Sequence, residues 1–186
     1  MLSSLSCPLG IDRITRLAQR ISSESYWING FHTWMLGLTA QWTGQTGKHA
    51  NSVAPLLVSI RQGCLKSTFC KSLMPDSLSR YYSDEVELTS RSNATRKMSE
   101  MGLLNLDEFD KYSSGKIPLL KNLMQMADLN LCMAYQKNFR TLPRIASFFG
   151  RKPIACSITT HTLSYRGLRD RLYQCLHAVW YVQISL

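Results

Sequence analysis

Eight basic residues and two aromatics in the C-terminal third have the chemistry to hold a polyanion. Lys137, Arg140, Arg144, Arg151, Lys152, Arg166, Arg169 and Arg171 fall within 35 residues that contain a single acid, Asp170. Arginine grips phosphate through paired N–H donors, and aromatic faces stack on unpaired bases. Phe139 and Tyr165 are the stacking candidates among them. The expected ligand is therefore nucleic acid, RNA or single strands in preference to a specific duplex. A solvated basic face beside ordinary core aromatics has the same composition, so the expectation depends on whether the fold leaves these side chains outside.

Charge along the chain points the same way. Residues 111–172 hold eleven Lys/Arg against two acids, whereas residues 76–110 hold eight acids against four bases. The chain as a whole carries +10, and a concentrated cationic third attracts phosphate backbones, acidic protein faces or anionic lipid by Coulomb steering and counterion release.

Other chemistries fail on spacing. Gly44-Gln45-Thr46-Gly47-Lys48 has two residues between its glycines and His49 after the lysine. A phosphate loop needs four residues between them and Ser or Thr after the lysine, so a polar loop is the reading. Cys156, His161, Cys175 and His177 match no structural zinc spacing, and no metal or other cofactor is expected. Ser157, His161 and Asp170 imply no geometry, and Ser113–Lys116 meets an S-x-x-K pattern inside a loop. Glu85 with Glu87, and Asp107 with Asp110, read as an acidic surface. No catalytic residue is assigned and a non-enzymatic protein is expected. Leu142–Thr159 has helix-turn-helix spacing around Ala146, Gly150 and Pro153, but the five β-branched residues of Ile154–Thr162 disfavour a recognition helix. A helix stopped by Gly150 and followed by a basic loop is the simpler reading.

These residues need a scaffold. At 186 residues, 45% hydrophobic and 18% charged, the chain is long and apolar enough for a single folded domain over 1–186. No apolar run reaches the roughly 18–20 residues of a membrane span. The N-terminus lacks a secretory pattern, so an intracellular location, cytoplasmic or nuclear, is expected; its Ser/Arg content leaves organelle targeting open. The six scattered cysteines read as reduced thiols.

Periodicity predicts helices over Ile11–Ile21, Tyr26–Trp42, Val53–Gln62, Leu65–Met74, Ala94–Leu104, Ile117–Asn138, Leu142–Phe149 and Tyr165–Val182. Residues 76–92 form a candidate mobile acidic loop, and the Thr/Ile content of 154–163 allows a minor strand pair. The expected fold class is mostly α, a compact domain of five to six helices. Arg13, Arg16 and Arg20 share one face of the first helix and extend the basic surface if that helix docks beside the last. The leading function is a basic nucleic-acid-binding accessory protein, of a kind that suits a virus or mobile element. The alternative is a protein-interaction or oligomerisation module that uses the aromatic C-terminal helix or the Trp-rich Tyr26–Trp42 segment. A peripheral association with the membrane surface is the third.

Overall fold

The computed structural model describes residues 12–46, 50–59, 63, 65–87, 90–106, 116–132, 138–153 and 179–183, with backbone alone at 59, 117, 151–153 and 179–183. The architecture is mixed α/β, which corrects the mostly helical expectation. Five α-helices are described: α1 (Arg13–Gln19), α2 (Ser25–Trp42), α3 (Lys66–Ser72), α4 (Arg91–Glu100) and α5 (Ile117–Gln125). A 3-10 turn covers Asp76–Tyr81. Strands β1 (Ala54–Ser59), β2 (Tyr82–Ser83), β3 (Leu103–Leu106), β6 (Ser147–Pro153) and β7 (Val179–Gln183) form a sheet in the order β2-β3-β6-β1-β7. Every pairing in it is parallel. A separate antiparallel hairpin joins β4 (Asp128–Cys132) to β5 (Phe139–Pro143).

The strands were hidden in the sequence for a physical reason. A parallel strand covered on both faces needs no polar alternation, so it reads as a short apolar run that periodicity cannot separate from a buried helix. Ala54–Val58 is buried at every position, and so is Leu103–Leu106. Val53–Gln62 and the end of Ala94–Leu104 were therefore expected as helix. The long helix expected over Ile117–Asn138 ends at Gln125 and the chain turns into β4; the helix expected over Leu142–Phe149 is replaced by the end of β5 and the start of β6. Val179–Val182, expected within the last helix, belongs to β7, which pairs with β1 from Ala54 to Val58. The strand pair anticipated near 154–163 lies outside the described residues.

Side chains on the two faces of the sheet make two cores. Leu57, Leu103 and Phe149 face the layer of α1, α2 and α3, while Leu104, Leu106 and Phe148 face α4, α5 and the hairpin. On α2, Trp27, Phe31, Trp34 and Leu38 recur at four- and three-residue steps and all are buried. Trp34 meets Phe149 edge-on at 5.3 Å between centroids, a geometry aromatic pairs favour. Gly150 sits where β6 passes β1, and a Cβ there would lie 2.8 Å from Leu56 Cδ1. It serves close strand approach, not the helix stop expected of it.

Arg144 joins these layers. It is 1% exposed, and its Nε donates to the Met126 carbonyl at 2.8 Å, Nη1 to Ala146 at 2.9 Å and Nη2 to Asn51 at 3.0 Å. Its own carbonyl accepts from Gln41 Nε2, and its cation lies 5.5 Å from the centre of the Phe148 ring. Burial lowers the guanidinium's pKa to about 10, so it remains charged at neutral pH.

Two stability predictions follow from this packing. Arg144→Met leaves three backbone carbonyls without their donor and should cost at least about 3 kcal/mol by chemical denaturation, since each stranded buried group costs about 1–3 kcal/mol. Arg144→Lys should recover less than half, because an ammonium cannot match the planar fork. Asn105 is fully buried on β3, and neither side-chain polar atom has a hydrogen-bond partner among the described residues. Asn105→Leu should therefore raise stability by about 1–2 kcal/mol, the order of an unsatisfied polar group's burial cost.

Candidate functional site

The sheet order puts β1 at the centre of the fold's chemistry. Chain connection leads from β1 to β2 and β3 on one side, returns to β6 beside β1, and places β7 on β1's other flank. In open parallel sheets of this kind, ligands bind outside the carboxyl ends of the strands where the order reverses. Residues 60–65 follow the carboxyl end of β1 and lead into α3, whose first residues are Lys66-Ser67-Thr68. Strand, loop, then a helix opening on Lys-Ser is the arrangement of a phosphate-binding loop.

Its loop chemistry is altered. A phosphate loop ending in Lys66-Ser67 would have glycine at positions 60 and 65, where this chain has Ile60 and Leu65. Gly63 is retained with φ +82, in open space. Leu65 adopts the left-handed conformation, φ 51 and ψ 21, and is 71% exposed. That conformation suits glycine and costs a β-carbon-bearing residue about 1–2 kcal/mol. Backbone geometry at position 65 thus remains that of a glycine loop, while the side chain does not. Lys66 is only 8% exposed.

A second feature of such sites is an acid after a neighbouring strand, which with the loop's Ser or Thr holds Mg²⁺ beside bound phosphates. All four residues of β3 are buried and apolar except Asn105, and the sequence continues directly as Asp107-Glu108. The fit to a magnesium–nucleotide is partial. Lys66, Ser67 and the acidic pair are of the right type, but Leu65 brings a side chain to a position that needs bare backbone. No hydrolytic step is assigned to the site. A pattern that requires both glycines does not include these residues. The informative signal was the pair of short apolar runs, one followed by Gly63-x-x-Lys66-Ser67 and the other by Asp107-Glu108.

The anticipated basic residues are distributed unequally. Arg151 and Lys152 lie on β6 opposite Leu57 and Val58 of β1, so they occupy the same carboxyl edge of the sheet as the loop before Lys66. Phe139 and Arg140 are neighbours on β5, both exposed, with Phe139 at 72%. Their strand pairs with Cys132 and Leu131 of β4, and the hairpin is fixed inward through Leu129 and Leu131. Alternation along the strand sends Phe139 and Arg140 to opposite faces of the hairpin. Arg144 leaves the expected surface: it is buried and its donors are committed to backbone carbonyls. Lys137, Tyr165, Arg166, Arg169 and Arg171 lie outside the described residues. Among the described residues no cluster of His, Cys, Asp or Glu is arranged to hold a metal ion, and no helix is long and apolar enough to cross a membrane.

The state of Leu65 can be measured. Leu65→Gly removes the left-handed penalty of about 1–2 kcal/mol and incurs about 0.5–1 kcal/mol of glycine's unfolded-state entropy. Little buried surface is lost, so the variant should be more stable by about 0.5–1 kcal/mol in urea unfolding.

Comparison with known proteins agrees with this topology. The chain is similar to the NrS-1 C-terminal region in its A-form apo structure, with a TM-score of 0.56, 13% identity and 95% of this chain covered. A second structure of that region, residues 305–718, gives a TM-score of 0.54 at the same identity and coverage. The chain spans only 38% of the length of either, and identity this low establishes the fold alone. No curated protein matches. Residues 5–152 match the virulence-associated protein E-like domain, and with most of its length inside that match the chain belongs to the virulence-associated protein E-like family.

Proposed function

We propose that this protein is a non-enzymatic, nucleic-acid-associated accessory factor built on a phosphate-binding α/β scaffold. The observation that carries the reading is the placement of residues with phosphate-seeking side chains toward the carboxyl ends of two paired strands. Gly63 and Lys66-Ser67 follow β1, and Arg151 and Lys152 sit on β6 directly beside it. Phosphate is the chemistry these groups share, whether it arrives on a nucleotide or in a nucleic-acid backbone. Exposed Phe139 and Arg140, on opposite faces of a separate hairpin, offer a ring for base stacking and a guanidinium for phosphate, suited to a flexible single strand that can wrap the hairpin.

The altered loop supports the non-enzymatic part. A triphosphate is cradled by backbone N–H groups, which glycines bring close to the phosphates. Ile60 and Leu65 put branched side chains at both glycine positions. Such a loop retains the lysine's charge but loses the close backbone wrap that positions a γ-phosphate for transfer.

The test is fluorescence anisotropy with labelled single-stranded RNA, single-stranded DNA and duplex DNA across a salt series. Binding at micromolar or tighter concentration, steeply weakened by salt, is expected for the single strands. Phe139→Ala/Arg140→Ala should weaken it about tenfold or more, as loss of a stacking ring worth about 1–3 kcal/mol implies. Absence of binding at low salt would refute the nucleic-acid reading. ATP hydrolysis should stay at background; turnover abolished by Lys66→Ala would overturn the non-enzymatic assignment.

A further inference from the structure

The first helix carries a basic feature separate from both the sheet edge and the hairpin. Ile14, Leu17, Ala18 and Ile21 pack on the α2 core, and Trp27 Nε1 ties the two helices by donating to the Ala18 carbonyl at 3.0 Å. This fixes α1 against α2 and leaves Arg13, Arg16 and Arg20 exposed. The three guanidinium side chains, with Leu17 and Gln19, line an open cavity of about 650 Å³. Among the described residues none of the three makes an ion pair.

The nearest acid is already engaged. Asp12 caps α1: its Oδ1 accepts from the Thr15 backbone N–H at 3.0 Å and its Oδ2 from the Thr15 hydroxyl. His32 Nε2 lies 3.9 Å from the same carboxylate. The Thr15 hydrogen bonds hold the Asp12 carboxyl below the usual carboxylate range, so the cap persists at neutral pH. Three like charges at three- and four-residue spacing repel one another along a helix. Three arginines outnumber the single Asp12 carboxylate on this helix and none is ion-paired among the described residues, an arrangement that favours an anion with several charges in a row.

Spacing and chemistry identify that anion. At 1.5 Å rise per residue, Arg13 to Arg20 spans about 10 Å, roughly three successive phosphate steps of about 3.4 Å along one strand of a duplex. All three bases are arginines, whose planar fork matches phosphate oxygens. A lipid surface fits less well, because the apolar side of α1 is packed on α2 and is not available to enter a bilayer. We propose that the Arg13–Arg16–Arg20 face of α1 is a second nucleic-acid contact, one that holds a phosphodiester backbone without reading its sequence. This rests on the nucleic-acid reading above and adds a surface that the reading does not require.

The test uses the full chain with Arg13, Arg16 and Arg20 changed together to Gln, which keeps side-chain length and helix propensity. Circular dichroism and thermal melting establish that the variant is folded. Binding to labelled single strands is measured across a salt series beside wild type and Phe139→Ala/Arg140→Ala. Three lost phosphate contacts at a slope of about 0.7 each should flatten the log–log salt dependence by about 2, with affinity at low salt falling at least tenfold. The same loss should appear on every sequence tested. Wild-type binding with an unchanged slope in the folded triple variant would overturn this proposal and leave the nucleic-acid reading standing. No wild-type binding would sink both. Stronger arginine-dependent binding to phosphatidylserine vesicles than to single strands would overturn nucleic acid as the occupant.

Discussion

The structure depends on how a single buried cation is satisfied. Arg144 stands in the short link between β5 and β6, where the hairpin hands the chain back to the parallel sheet. Its guanidinium reaches the end of α5 through Met126, the entry to β1 through Asn51 and the start of β6 through Ala146. Its backbone N–H donates to the Ala127 carbonyl at 2.8 Å, and Gln41 on α2 closes the arrangement from the other layer. Burying a charge is costly, and the cost is tolerable only when every donor finds an oxygen. Three of its N–H groups find backbone carbonyls from three parts of the chain, which ties the link to α5, the approach to β1 and the approach to β6 at once.

The register of β6 against β1 determines which chemistry can meet at the carboxyl edge. Leu57 and Val58 lie opposite Arg151 and Lys152, and Ser59 lies opposite Pro153. A shift of β6 by one residue would move Gly150 away from Leu56, whose Cδ1 would lie 2.8 Å from a Cβ there and would have to move to admit one. The close packing of Gly150 on Leu56 and the hydrogen bonds of Arg144 thus act on the same strand from different points. Together they hold two basic residues beside the loop that precedes Lys66. The site is consequently a property of strand pairing as much as of its own residues.

Much of the helical layer was legible in the sequence, and the sheet was not. In α2 the buried aromatics recur at helical steps, and in α1 one apolar face opposes three arginines, so periodicity located both to within a few residues. Lys66–Ser72 was likewise legible as helix. The central strands carry no alternation because both faces are covered, and the Pro55 that suggested a first helical turn sits inside β1, paired with Trp180 of β7. Arg144 was misjudged for a related reason. Composition counts a charge but cannot tell whether carbonyls surround it, and nothing local in Leu142–Phe149 distinguishes an arginine that faces phosphate from one that faces backbone. The strand–loop–Lys66-Ser67 order does not read as a phosphate loop in the sequence because glycine is absent at 60 and 65, although Leu65 takes a left-handed conformation that suits glycine.

The conformation of Leu65 connects the scaffold to its altered use. A left-handed leucine is tolerated only where surrounding structure dictates the backbone, and here the dictating parts are the end of β1 and the start of α3. At position 65 the backbone takes a conformation that suits glycine, while the leucine side chain occupies space that a glycine would leave open. What remains at this edge is charge: a buried lysine and two basic residues on the adjacent strand. Charge without a tight cradle binds phosphate by Coulomb attraction more than by geometry, and such binding is tolerant of ligand shape and sensitive to salt. That combination suits a nucleic-acid backbone, whose phosphates come in series and need not be held one at a time in a fixed pose.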